Sequence, residues 1–292
     1  MKKIWVCGSS GMLGSHIVNL LNQKQIPFIP SRSSEVDITK LDQVSDFVRF
    51  NKFTHIINCA AYTQVDKAES EPKDAYEVNA KGPHHLAIAA RRHSVERFLH
   101  VSTDYVFPGS GHVPYDENHL CSPIGAYGMS KFAGELKVLD EFDRSCILRT
   151  SWLFGHPGNN FVEKILRLMC ERETLNIVSD QIGRPTYCQD LAEAILGIIN
   201  EEGVFHFANS KETSWFQFTQ EIYNQAQALG FPLTIKSIQP VLTKDYPTPA
   251  KRPAYSALCT NKIEQVLGYA PRPWTEALQD YLIRLKKHQN SI

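Results

Sequence analysis

Short apolar runs alternate with longer amphipathic stretches over the first three quarters of the chain, and nothing else in the sequence limits the possible folds so tightly. Lys3–Cys7, Ile26–Pro30, His55–Asn58, Arg97–Ser102 and Cys146–Thr150 read as strands. Between them, Met12–Leu21, Leu41–Phe50, Lys73–Arg92 and Tyr127–Leu139 carry apolar residues at helical spacing. A strand followed by a helix long enough to cross over and return gives parallel pairing. Strands that are apolar along their whole length are covered on both faces. The expected fold class is therefore α/β, a Rossmann-like doubly wound parallel sheet. Phe161–Cys170 (helical), Leu175–Val178 (strand-like), Leu191–Ile199 (helical) and Val204–Phe207 (strand-like) continue the pattern less regularly, and it fades after about residue 225. The tail from Pro232 holds seven of the sixteen prolines, which suits loops over a smaller lobe better than central strands. The expected sheet lobe is 1–151 and 175–228, with a smaller, interleaved lobe at 152–174 and 229–292.

At 292 residues the chain can bury a large core without disulfides. Its 31 basic and 31 acidic residues cancel, and Lys and Arg never run beyond a pair, so no nucleic-acid partner is expected. No apolar run approaches the ~20 residues a membrane span needs, so no membrane partner is expected either. Seven scattered cysteines without a C-x-x-C read as unpaired thiols in a reducing compartment. Met1-Lys2-Lys3 leads straight into a strand with no apolar leader, and the expected location is cytoplasmic. His84, His85 and His93 fall on a helix, no metal-ligand spacing stands out, and no metal is expected.

Gly8-Ser-Ser10-Gly11-Met12-Leu13-Gly14 sits directly between the first strand and the first helix. Glycines at such a turn let the backbone approach a pyrophosphate, which then rests on the helix N-terminus. The spacing is one residue off the common G-x-G-x-x-G, and a glycine-rich turn without a ligand is the competing explanation. A nicotinamide dinucleotide is the expected cofactor. At the end of the second strand Ser31-Arg32 stands where an acid would select NAD, and an arginine there suits the 2′-phosphate of NADP. Asp37-Ile38 comes too late for the discriminating acid, and Asp37 is placed near the adenine or simply at the start of the next helix.

Tyr127-Gly-Met-Ser-Lys131 puts a phenol and an amine four residues apart at the start of a helix, hence on one face. A phenol titrates near ~10, and a cation at i+4 aided by a bound nicotinamide would lower that value toward useful acid–base range. Spacing alone describes a packed tyrosine beside a surface lysine equally well. Ser102-Thr103-Asp104, however, ends the fourth strand at the edge where such sheets bind ligands, and a hydroxyl there can reach both a substrate oxygen and the phenol. Thr103, Tyr127 and Lys131 are the candidate catalytic residues.

With these residues in view, the chain resembles the extended short-chain dehydrogenase/reductases, and within them the dTDP-4-dehydrorhamnose reductases. The resemblance runs nearly end to end. It rests on Gly8–Gly14, Asn58–Glu69, Val78-Asn79-Ala80, Ser102–Phe107, Tyr127–Lys131, Leu148–Gly155, Asp180–Thr186 and Arg252-Pro253. It implies reduction of the C4 ketone of a nucleotide-linked 4-keto-6-deoxy sugar by NADPH, with NADH as the alternative. Tyr127 would protonate O4, Lys131 would hold the nicotinamide ribose, and Thr103 would hydrogen-bond the carbonyl oxygen. It further implies that Cys59, Ala60, Ala61, Tyr62 and Asn79 pack along the cofactor. Val65, Asp66, Asp104, Tyr105 and Trp152 would line the sugar pocket, and Arg184 and Arg252 would be candidates for the substrate diphosphate. The smaller lobe would bind substrate, and the chain would be a monomer or homodimer.

Departures from the family pattern accompany the matches. Some members form a dimer bridged by Mg²⁺ through carboxylates, but Ser15-His16 follows the third glycine here and Gln289–Ile292 ends without an acid, against such a dimer. Tyr255 replaces a common asparagine after Arg252-Pro253, which bears on the nucleotide pocket. Neighbouring readings are a sugar-nucleotide 4-epimerase, a 4,6-dehydratase and a non-catalytic NADP-binding regulator similar to the β subunit of methionine adenosyltransferase. Tyr105 in place of a glutamate after Asp104 argues against the dehydratase.

Overall fold

The computed structural model describes residues 2–289. β1 (Ile4–Cys7), β2 (Phe28–Ser31), β3 (His55–Asn58), β4 (Arg97–Thr103), β5 (Ser145–Thr150) and the Gly203–His206 strand form one sheet in the spatial order β2-β1-β3-β4-β5-Gly203–His206. Every pairing in it is parallel, and Ile4 lies opposite both Phe28 and His55. The chain steps outward from β1 to β2 and then returns to β3 on the other side. That reversal opens a crevice at the carboxyl ends of β1 and β3, where a doubly wound sheet binds its ligand.

Alternation along the strands builds the two covering layers. Ile4 and Val6 join one apolar cluster with Ile17 and Leu21 of α1 (Met12–Gln23) and Leu191 and Ile195 of the Cys188–Gly197 helix. Trp5 and Cys7 point the other way, into a cluster with Val44 and Val48 of α2 (Leu41–Asn51) and Leu86 and Ala90 of the Gly82–Arg92 helix. All seven cysteines are free, and Cys7, Cys146 and Cys188 are buried. Among the described residues no helix is long and apolar enough to cross a membrane.

The long helix expected over Lys73–Arg92 is broken into Pro72–Tyr76, a π-helical turn at Glu77–Lys81, and Gly82–Arg92. Pro83 explains the break: it has no N–H to give the Asn79 carbonyl four residues earlier. That carbonyl instead abuts Gly134 of the Ala126–Glu141 helix, so closely that a Cβ there would collide with it.

A second apolar cluster gathers Phe154, Ile165, Phe218, Ile222, Trp274 and Tyr281 from the segment after β5 and from the Phe161–Glu171, Trp215–Ala228 and Trp274–Gln289 helices. Two elements within 175–228 belong to this part of the molecule and not to the main sheet. Thr174–Val178 pairs with Ser237–Val241 and buries only alternate residues, so it lacks the second apolar face of a central strand. The Trp215–Ala228 helix turns Phe218, Ile222 and Ala226 into the second cluster. Of the terminal stretch Gln289–Ile292, residues 290–292 lie outside the described residues.

Candidate active site

The glycine turn after β1 is built for close approach. Gly8 has φ +72°, and a Cβ there would stand 2.7 Å from the Ala60 backbone nitrogen at the end of β3. At Gly14 a Cβ would collide with the Gly8 carbonyl and stand 2.8 Å from Ser9 Cα. The turn is thus compressed on the protein side, while Ser10, Gly11, Met12 and Leu13 face a cavity of about 600 Å³. α1 begins at that cavity with no acidic residue in its first turn. Free backbone N–H groups and the positive end of a helix dipole suit a pyrophosphate. Arg32 follows β2 and is exposed, its backbone N–H given to the Glu35 carboxylate at 2.8 Å. The donor set therefore fits a dinucleotide, and its arginine fits one carrying a 2′-phosphate.

The same cavity receives the ends of three more strands. Cys59 and Ala61 come from after β3, Thr103 and Asp104 from the end of β4, and Trp152 from just beyond β5. Tyr127 and Lys131 reach it from the first turns of the Ala126–Glu141 helix. The Thr103 hydroxyl donates to Asp104 Oδ1 at 3.0 Å and lines the cavity together with the Tyr127 phenol. Burial pushes the Tyr127 phenol up to about 12, reinforced by the neighbouring Asp104. Lysine assistance, expected from the i+4 spacing, is not what acts on the phenol in the chain alone. Lys131, 2% exposed, gives its Nζ to the Val101 carbonyl at 2.7 Å, and burial lowers it to about 8. Asp104 is lifted by burial to about 6, partly offset by bonds from Ser256 and Thr103.

A buried ion pair braces this group from behind. Glu135, one turn beyond Lys131, accepts from Arg149 of β5 at 2.7 Å and from the Ser102 hydroxyl. Arg149 also meets His206 at 3.3 Å, so the catalytic helix is tied to β4, β5 and the Gly203–His206 strand. Truncating either ion would strand the other in the core, a change that costs several kcal/mol, typically about 3–5.

The second lobe closes the cavity. Trp152 stands at φ +46° and stacks on Trp215 with centroids 3.5 Å apart and planes 7° from parallel; both line the cavity. A residue other than glycine held in the left-handed region stores strain, and such strain concentrates at functional sites. Trp215, together with Asn159 and Thr63, was not foreseen from the sequence. Only its place at the start of an amphipathic helix marks Trp215, which is the pattern of an ordinary core aromatic.

Several of the nominated residues do not line this cavity. Ser31 is buried, its hydroxyl accepting from the Trp5 indole at 2.8 Å and its carbonyl from Ser9. Asp37 folds onto Thr39 at 2.9 Å, and Ile38 packs under Gly82. Asn79 is fully buried and clamps the Tyr62 backbone, accepting at 2.8 Å and donating at 3.0 Å, with a further bond to Ser130. Tyr62 sends its hydroxyl to Glu71 at 2.8 Å. Asp66 and Arg252, both nominated for substrate, hold each other through a two-pronged bridge of 3.0 and 2.8 Å. Arg184 pairs with Glu212 at 3.5 Å and lines no cavity described here. Tyr255 packs against Phe107, Tyr115 and Leu258 in the seam between β4 and the tail. Ser15 bonds the Gly11 carbonyl at 2.9 Å and His16 contacts Gln189 at 3.2 Å.

A larger cavity of about 1070 Å³ adjoins the first and shares Thr63 and Asn159 with it. Lys164, Arg167 and Arg252 stand on its wall.

This constellation can be set beside known proteins. The family model described as RmlD substrate binding domain matches residues 1–287. A dTDP-4-dehydrorhamnose reductase from Aggregatibacter actinomycetemcomitans is 40% identical over 289 residues, covering 96% of this chain and 98% of that protein. The chain belongs to the dTDP-4-dehydrorhamnose reductase family. Crystal structures of family members superpose along the whole length. The enzyme from Bacillus anthracis, solved in complex with NADP, has a TM-score of 0.91 at 38% identity and covers 97% of this chain and 100% of its own. The Clostridium acetobutylicum member has the same TM-score at 37% identity, covering 97% and 99%.

Proposed function

We propose that this protein reduces the C4 ketone of a nucleotide-linked 4-keto-6-deoxy sugar, dTDP-4-dehydro-L-rhamnose, to dTDP-L-rhamnose with NADPH. The observation that carries the reading is the convergence of Thr103, Tyr127 and Lys131 on one cavity with the compressed glycine turn. Bound NADPH supplies the hydride to C4. Tyr127 gives its phenolic proton to O4, so ketone, hydride and proton balance to the alcohol. Because burial holds Tyr127 up at about 12, the phenol is fully protonated at neutral pH, as a general acid must be. Thr103 hydrogen-bonds the same oxygen and fixes its distance from Tyr127. Lys131 holds the nicotinamide ribose, and its charge stabilises the phenolate left after transfer.

The sugar ring lies between the Thr103–Tyr127 pair and the stacked indoles of Trp152 and Trp215, whose apolar faces suit a C6 methyl group. The nucleotide diphosphate extends past Asn159 into the adjoining cavity, where Lys164 and Arg252 supply charge-assisted donors. Arg252 enters this role already anchored by Asp66, which fixes the fork and keeps one face for phosphate. Division of labour follows the two apolar clusters, with cofactor on the sheet and nucleotide sugar on the second lobe.

The test follows NADPH absorbance on adding dTDP-4-dehydro-L-rhamnose to the wild type and to Tyr127→Phe. Oxidation by the wild type, a loss of about 10²- to 10⁴-fold in the variant, and unchanged NADPH binding support the assignment. A fully active Tyr127→Phe removes the phenol as the acid. A wild type that binds NADPH yet leaves it unoxidised removes this substrate.

A further inference from the structure

Behind the cavity a line of hydrogen bonds leads to Lys131 through Asn58 and His100, neither of which has a part in the mechanism above. Both side chains are fully buried, and they stand opposite each other in the β3–β4 register. Asn58 Oδ1 accepts from the Ala60 backbone N–H at 3.0 Å, which fixes which way the amide points. Its Nδ2 therefore faces His100 Nδ1, 3.0 Å away. An amide nitrogen only donates, so Nδ1 is the acceptor. Burial keeps the imidazole neutral, and a neutral ring with a bare Nδ1 carries its proton on Nε2. That N–H points at Lys131 Nζ, 3.4 Å away.

An ammonium group facing an N–H sets donor against donor, whereas a neutral amine offers the N–H its lone pair and can still donate to the Val101 carbonyl at 2.7 Å. We propose that Asn58 and His100 form a positioning pair for Lys131: the amide locks the imidazole in its Nε2–H form, and that N–H holds the lysine Nζ in place while loosening its proton.

Of the other groups around Nζ, the Glu135 charge works against this effect and only in part. Glu135, on the same helix, has its carboxylate engaged by Arg149 and Ser102. Cys59, from after β3, is a thiol that burial pushes up to about 12. Tyr127, one turn back, is a neutral phenol for the same reason. Burial of Lys131 works in the same direction as the His100 N–H. The inference rests on the reading of Lys131 as the lysine that meets the cofactor. In that reading, docking of an anionic dinucleotide is coupled to proton uptake at Nζ, and cofactor affinity falls as pH rises past about 8.

The experiment uses the full chain without cofactor, labelled with ¹³C-lysine and ¹⁵N-histidine, with Lys131 assigned through Lys131→Arg. In the wild type the His100 nitrogens should report a bare Nδ1 and a protonated Nε2; the opposite tautomer overturns the proposal. In Asn58→Asp the carboxylate still accepts from Ala60 but now takes a proton from Nδ1, turning the Nε2 lone pair toward Lys131. The Lys131 midpoint should then rise by about one pH unit or more. His100→Phe removes the N–H with little change in volume and should raise it also, by less. Midpoints unchanged in both variants, with native circular dichroism, overturn the proposal. The tautomer readout on the wild type stands even where a variant does not fold. NADPH oxidation by the wild type is measured separately, so a failure of the reductase reading leaves its own trace.

Discussion

Replacing Asp104 with asparagine should change how stability depends on pH, by an amount the structure fixes. Asp104 is 2% exposed at the end of β4. Bonds from Ser256, Thr103 and nearby backbone N–H groups offset only part of its desolvation, so its carboxyl titrates at about 6 instead of 3.8. A carboxyl raised in the folded state binds its proton more tightly there than in the unfolded chain. The resulting stabilisation is complete below the unfolded value and lost as pH rises through about 6. The full difference amounts to about 3 kcal/mol, of which about 2 kcal/mol disappears between pH 4.5 and 7.5. Asparagine cannot titrate, yet its Oδ1 still accepts from the Thr103 hydroxyl. Urea unfolding of wild type and Asp104→Asn across that interval isolates the effect, because every other titrating group cancels in the difference. The wild type should lose about 2 kcal/mol relative to the variant from the acid to the neutral end. Parallel curves would refute the argument that an ionised carboxyl is carried in the core. An opposite slope would mean that a partner holds it ionised.

Gly14→Ala places a methyl group against the Gly8 carbonyl and Ser9 Cα, neither of which can swing aside. We expect a loss of about 1–3 kcal/mol in urea unfolding and a weaker NADPH complex by fluorescence titration; an unaltered complex would free the turn from its assigned role. Arg32→Ala should weaken NADPH binding by about 10-fold or more and leave NADH binding alone, since only one of them carries the phosphate that the arginine meets. Equal losses for both would place Arg32 elsewhere on the cofactor. Trp215→Leu removes the indole stacked on Trp152 and should raise the KM for the nucleotide sugar several-fold while NADPH affinity holds. A KM that does not move would make the tryptophan pair a packing feature only.

What the sequence discloses and what it hides follow from the range of the interactions involved. β1 to β5 are legible because each is a short apolar run, and periodicity is a local property. The glycine turn is legible for the same reason where Gly14 meets Gly8, although the approach of Ala60 to Gly8 is not. Tyr127 and Lys131 share one helical turn, so their juxtaposition can be read off, and Thr103 follows from the rule that ligands gather at strand ends. Contacts between distant segments are different. Nothing near Asn79 in the chain announces that its amide will clamp Tyr62, and nothing near Asp66 announces a bridge to Arg252, 186 residues on. Family resemblance nominates such residues for the site but does not say whether they touch ligand or one another. Thr174–Val178 reads locally like a strand of the main sheet, because its partner, Ser237–Val241, lies in the proline-rich tail and carries no strand pattern of its own.

Three irregular stretches of backbone bear on the site, while Gln25, Lys52, Ser94 and Lys211 take positive φ elsewhere in the fold. Gly8 at φ +72° marks the mouth of β1, and Trp152 at φ +46° the exit of β5. The π-helical turn at Glu77–Lys81 carries the Asn79 clamp that sets the Tyr62 backbone just beyond β3. Trp152 itself lines the cavity into which Thr103, Tyr127 and Lys131 converge, and Gly8 opens the turn whose residues Ser10 to Gly14 line it. Regular strands and helices satisfy the core clusters on both faces of the sheet without such deviations. At the strand ends, these stretches hold a glycine turn, a tryptophan wall and a tyrosine helix in one fixed relation, which is what transfer of a hydride and a proton to one carbonyl group requires.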